Sequence, residues 1–240
     1  MKETIYLVMA FCVFACSPNY PDIKPGATRL VKSGEDKKAI AVYSVPAAYS
    51  SKTPWPLFIA LHGPGNQASP FHDLWRGSAD SLGVVLLTPE GNVPVSLGFT
   101  WTLKDSSSEM VIRNAIDEVR RQVNIDPNRI YIGGYSAGGS MAYYMALKYA
   151  RIFSGVIALD ADFDGRWMKL PLTRERLARW RVYIGHGDLE SNLDEAMTTK
   201  ETFKQTGASV RMTLYKNLVH GIPEPKGEEL ARALSFILGQ

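Results

Sequence analysis

Between residues 38 and 238 the chain alternates apolar runs with amphipathic helical segments, and few architectures accommodate that rhythm. "KAIAVYSV" (38–45), "PLFIALHG" (56–63), "GVVLLTPEG" (83–91), "NRIYIGG" (128–134), "SGVIALD" (154–160), "RVYIGHGD" (181–188) and "VRMTLYKN" (210–217) read as strands. Helical patterns lie between or after them, around 70–82, 107–123, 137–150, 192–206 and 226–238. In 107–123 the apolar residues Met110, Val111, Ile112, Ala115, Ile116, Val119 and Val123 follow the spacing of a helix packed on a sheet. Strands apolar on both faces, alternating with helices, predict a mostly parallel sheet covered on both sides: a single three-layer α/β domain over 28–240. In such sheets ligands bind beyond the carboxyl ends of the strands, so the chemistry is sought in the loops that follow them.

The first residues are of a different kind. Lys2 precedes an apolar run from Ile5 to Ala15, long enough for a signal-peptide core and too short to span a bilayer. Residues 1–15 are therefore expected to be an export signal and 16–27, rich in Pro, Asn and Gly, a tether. The segment "VFAC" resembles a bacterial lipoprotein signal, which implies lipidation at Cys16, membrane attachment through that lipid and a place in the cell envelope. Phe14 and Glu3 depart from that pattern, and an ordinary cleaved signal of a secreted or periplasmic protein is the alternative.

Cys12 and Cys16 are the chain's two cysteines, so the domain beyond them has no disulfide, cysteine nucleophile or thiolate metal site. Without a His-x-x-x-His pair no metal is expected, and no G-x-G-x-x-G follows the first strand, so no dinucleotide cofactor is expected either. A formal net charge of +3 with no basic run argues against nucleic acid as a partner.

Gly134-Tyr135-Ser136-Ala137-Gly138 closes one apolar strand and opens a helix. Glycines allow a turn sharp enough to present the serine hydroxyl, with unpaired helix N–H groups behind it. A serine needs a base to take its proton and an acid to orient that base. His220, of the four histidines the one in the loop between the last strand and the final helix, is the candidate base. Asp188, at the end of "RVYIGHGD", is the candidate acid; Asp160, Asp162 and Asp164 are alternatives. His186 reads as a strand-end packing group and His62 as the anchor of its own loop.

On "PLFIALHGPG", "VVLLTPEG", "NIDPNRIYIGGYSAGG", "FSGVIALD", "YIGHGD" and "LVHGIP" the chain resembles the α/β-hydrolases, nearest to the polyhydroxybutyrate-depolymerase, feruloyl-esterase and small-carboxylesterase groups. The resemblance implies a serine esterase with Ser136, Asp188 and His220 as its triad, acting on a small or polymeric carboxylic ester through an acyl-enzyme. A peptidase of the same fold, or a catalytically weak binding protein of the envelope, are the competing readings.

The oxyanion of acyl transfer needs preformed N–H donors. Ala137 is expected to supply one. Many relatives take the second from the residue after His-Gly, which here is Pro64 and has no N–H. Either Gly65 donates in its place or the hole is incomplete. Phe99 and Trp101, and Trp167 and Met168 from the short 162–181 connection, are candidate pocket walls. That connection leaves no room for a large lid.

Overall fold

A computed structural model describes residues 20–33, 38–169 and 174–240. Eight strands form the main sheet: β1 (Thr28–Ser33), β2 (Lys38–Ser44), β3 (Trp55–Leu61), β4 (Val85–Pro89), β7 (Ile125–Tyr135), β8 (Gly155–Leu159), β9 (Arg181–Gly187) and β10 (Ser209–Tyr215). Their order is β1-β2-β4-β3-β7-β8-β9-β10. The β1–β2 and β2–β4 pairs are antiparallel, and every pair from β4 to β10 is parallel. The expected α/β architecture is present.

Leu57 to Leu61 and Val85 to Leu87 are fully buried, because helices cover both faces of the sheet. Phe71 and Trp75 of α1 (Ala68–Ser81) join Leu230 and Leu234 of α6 (Lys226–Leu238) in one apolar layer. On the other face Ile112, Ala115 and Val119 of α2 (Ser107–Gln122), Met141, Ala142 and Met145 of α3 (Ala137–Lys148) and Phe203 of α5 (Leu193–Gln205) form the second. Between β8 and β9 the described chain holds a 3₁₀ turn, Gly165–Lys169, and the single-turn α4 (Arg174–Leu177).

Two elements depart from the expectation. The region 20–27 is not a free tether at its carboxyl end: Ile23 is buried in the core, a turn returns Ala27 N–H to Lys24 O at 3.0 Å, and β1 follows. Residues 93–100, which lie outside every strand and helix pattern read from the sequence, form the hairpin β5 (Val93–Val95) and β6 (Gly98–Thr100), which bridges to Asn66 through Phe99. Cys16 lies outside the described residues. Among those described, no helix is long and apolar enough to cross a membrane.

Candidate active site

The turn between β7 and α3 puts Ser136 at φ 54°, ψ −126°, a strained backbone for a residue with a side chain. Its N–H is held by Leu159 O of β8 at 2.9 Å, which fixes the elbow to the neighbouring strand. Gly138 permits the close approach: a Cβ there would lie 2.2 Å from Leu61 O of β3. No acceptor among the described residues takes the Ala137 N–H, which borders the same cleft as the serine.

That cleft, about 450 Å³, is lined by Ser136, Ala137, Ser140 and Met141 from the elbow and α3. Trp101, Thr102, Leu103 and Lys104 line it after the hairpin, Asp160 and Asp162 after β8, Glu190 and Asn192 after β9, and His220 after β10. All these segments follow strands at their carboxyl ends, where the connectivity requires a site.

His220 Nδ1 lies 3.3 Å from Glu190 Oε1, with side chains 40% and 18% exposed. The carboxylate beside His220 is thus Glu190 and not the expected Asp188. Asp188 makes no ion pair with His220: its N–H runs to Tyr215 O at 3.1 Å, and its Oδ1 is buried without a hydrogen-bond partner. The loop then turns, with Leu189 N–H on Leu218 O at 3.0 Å, and carries Glu190 forward to the cleft. The His220 ring packs against Tyr135, centroids 5.1 Å apart, and no hydrogen bond joins it to Ser136 Oγ. Sequence reading missed both Glu190 and Tyr135; the latter was visible as the x of G-x-S-x-G but had no assigned role.

Asp160 is 3% exposed and sits at φ 43°. It accepts from Gly187 N–H at 2.7 Å and from Gly221 N–H at 2.6 Å, and His186 Nδ1 is 3.4 Å away. Burial pushes its carboxyl above the ordinary range, while the two N–H donors and the nearby histidines pull against that rise. His186 Nε2 meets Asn192 Oδ1 at 3.0 Å, and Asn192 Nδ2 donates to Asp162 Oδ1 at 2.6 Å. Asp164, the remaining alternative acid, pairs with Arg166 instead.

The His62 loop is anchored as expected. The ring is fully buried, Nδ1–H donates to Gly63 O at 2.9 Å, and Nε2 accepts from Gly91 N–H at 3.0 Å, which assigns the tautomer. Trp101 Nε1–H closes the loop on His62 O at 2.8 Å. The expectation for Gly65 is corrected. Its N–H donates to Phe99 O at 3.1 Å, because the loop pairs with the β5–β6 hairpin, so that donor is already engaged.

Of the proposed pocket walls, Trp101 alone borders the cleft. Phe99 sits on the hairpin opposite Asn66. Trp167 packs edge-on against Phe163 and Tyr144, and Met168 packs on the core, both drawn there by apolar burial rather than by the cleft.

With this geometry in place the similarity to known proteins is informative. The model of the phospholipase/carboxylesterase family matches residues 103–238. The chain belongs to this family. A bifunctional acetylxylan esterase/xylanase of Neocallimastix patriciarum is 34% identical over 99 residues, 40% of this chain and 14% of that protein. A putative esterase of Nocardia uniformis subsp. tsuyamanensis is 28% identical over 149 residues, 58% of this chain and 42% of that one. The match thus spans less than half the length of these two relatives. Among solved structures, a fluorophosphonate-binding serine hydrolase of Staphylococcus aureus superposes with a TM-score of 0.66 at 14% identity, covering 90% of this chain and all of that one. A ferulic acid esterase gives 0.66 at 15% identity over 88% and 96%. At such identities the likeness is one of fold.

Proposed function

We propose that this member of the phospholipase/carboxylesterase family is a serine esterase in which Ser136 is the nucleophile, His220 the base and Glu190 the orienting acid. The observation that carries the reading is the strained Ser136 elbow opening on the same cleft as the His220–Glu190 pair. His220 Nδ1–H donates to Glu190, which leaves Nε2 unprotonated and able to accept the Ser136 proton. Rotation of the exposed imidazole off Tyr135 brings Nε2 to Oγ as substrate enters; such contacts tighten in the Michaelis complex. Oγ bonds to the ester carbonyl carbon, the oxyanion points at the free Ala137 N–H, and the alcohol leaves with the proton held by His220. Water, deprotonated by the same imidazole, then releases the acid.

The cleft favours a short acyl group on a polar alcohol. Trp101, Leu103, Ala137 and Met141 supply its apolar lining, while Thr102, Lys104, Asp162 and Asn192 present hydrogen-bonding groups around it. An acetylated carbohydrate has this chemistry, and the relative named for acetylxylan supports that choice.

A weak binding protein is the second reading, and the engaged Gly65 N–H is what favours it. One experiment separates the two: intact mass after a fluorophosphonate, and p-nitrophenyl acetate turnover, for wild type, Ser136→Ala, Glu190→Gln and Asp188→Asn. A single adduct is expected that vanishes in Ser136→Ala. A loss of about 10²–10⁴ in kcat is expected for Glu190→Gln, and a change within about twofold for Asp188→Asn. No adduct on folded wild type sinks the esterase reading, and the opposite ranking of the two acids sinks Glu190.

A further inference from the structure

The Glu190–His220 pair stands on two loops from different strands, one after β9 and one after β10. The β9–β10 register ends at Gly187 and Tyr215, and beyond it two backbone bonds, Asp188 N–H to Tyr215 O and Leu189 N–H to Leu218 O, tie the loops on the Glu190 side but leave the His220 end of its loop unheld by them. Yet the roles proposed above need its 3.3 Å separation held. The fully enclosed group that touches both loops is Asp160, from a third strand.

We propose that Asp160 is a positioning residue whose single buried carboxylate sets the distance between the loop carrying Glu190 and the loop carrying His220. Oδ1 takes the N–H of Gly187, three residues before the glutamate, and Oδ2 takes the N–H of Gly221, the residue after the histidine. One oxygen therefore holds the strand end from which the Glu190 loop springs, and the other holds the loop of His220. Bonds of a carboxylate to backbone N–H groups are charge-assisted and about twice as strong as neutral ones.

Asp160 is itself fixed. Its N–H donates to Gly185 O of β9 at 2.8 Å. The positive φ aims the carboxylate between the loops, a strained conformation that persists only where the surroundings impose it. His186 lies beside Oδ1, its far nitrogen held by Asn192, so the anion also has a polarisable neighbour that is locked in place.

This inference rests on the esterase reading, and a double-mutant cycle separates the two. Asp160→Asn keeps the shape but turns one N–H donor towards one loop N–H, breaking one of the two bonds. Expected is a fall in kcat of about 10–100-fold on p-nitrophenyl acetate, the scale of a small misplacement of reacting groups, with KM within about twofold. In a Glu190→Gln background the same change is expected to add little, because the pair it serves is already broken. A merely structural role would lower the melting temperature and leave kcat per fluorophosphonate-titrated site untouched, or subtract equally in both backgrounds; either overturns the proposal. So does a loss as large as that of Ser136→Ala with Glu190→Gln unaffected, which makes Asp160 the orienting acid.

Should Asp160→Asn not fold, Gly221→Pro removes the one donated N–H from the surface side and is expected to reproduce the kcat loss. The imidazole signals of His220 by nitrogen-15 NMR provide a reading that needs no activity. They are expected to shift in either variant, and unchanged signals overturn the proposal. Ser136→Ala with wild-type turnover condemns the esterase reading instead.

Discussion

At position 64 the chain gives up a backbone donor where acyl transfer calls for one, and Gly65 has already given its N–H to Phe99. Removing one such donor costs enzymes about 10²–10³ in rate. Pro64→Ala returns an N–H to an exposed loop already fixed by His62 and Trp101, and kcat on p-nitrophenyl acetate is expected to rise about tenfold or more. An unchanged kcat in a folded variant would mean that the second donor comes from elsewhere in the cleft. The placement of Ser136 and His220 on one cleft was legible in the sequence because each needs only its place relative to a strand end. The carboxylate beside His220 was not. Asp188 and Glu190 are two residues apart, and which of them faces the histidine depends on the turn by which Leu189 binds Leu218 O. No local pattern encodes that turn.

Where α1 meets the sheet, His72 joins three elements: Nδ1 lies 3.0 Å from Thr88 Oγ1 of β4, and Nε2 3.0 Å from Ser44 Oγ of β2. Burial, with Arg76 nearby, lowers its pKa from 6.5 to about 4. In the unfolded chain it protonates near the ordinary value, so below that pH the unfolded state binds the extra proton. Stability is thus expected to fall as pH drops from 6.5 towards 4, by about 2 kcal/mol at pH 5 and about 3 kcal/mol at the lower end. Urea unfolding between pH 7 and 4.5 checks this, and His72→Asn should flatten the slope in that window; an equal slope in both proteins refutes it. Among the elements, those with long periodic stretches were readable. The β5–β6 hairpin was not, since three-residue strands containing Pro94 and Gly98 carry little signal. They are held by pairing with the Asn66 loop, far away in sequence.

On the scale of the molecule, the cleft sits at the carboxyl ends of the strands, while Ile23, just inside the described amino-terminal end, is already anchored in the core. Any flexible spacer between a lipid and the domain is thus shorter than the sequence suggests. We propose attachment through Cys16, on the signal-like run that precedes it. Cys16→Ser is expected to move the protein from the membrane fraction to the soluble one and to remove the mass of a diacylglyceryl group. A wild type that is soluble and unlipidated points to simple secretion instead.

The Ser136 turn and the 101–104 wall of the cleft come from different stretches of chain. The nucleophile turn is locked against β3 by a contact that tolerates no β carbon at Gly138, and this part of the molecule is closed to variation. Much of the wall comes from residues 101–104, where Leu103 and Lys104 are exposed and support no core residue. A lineage descended from such an enzyme has room to drift towards new alcohols or acids by changing a few surface positions. Its reaction would stay the same while its diet changed.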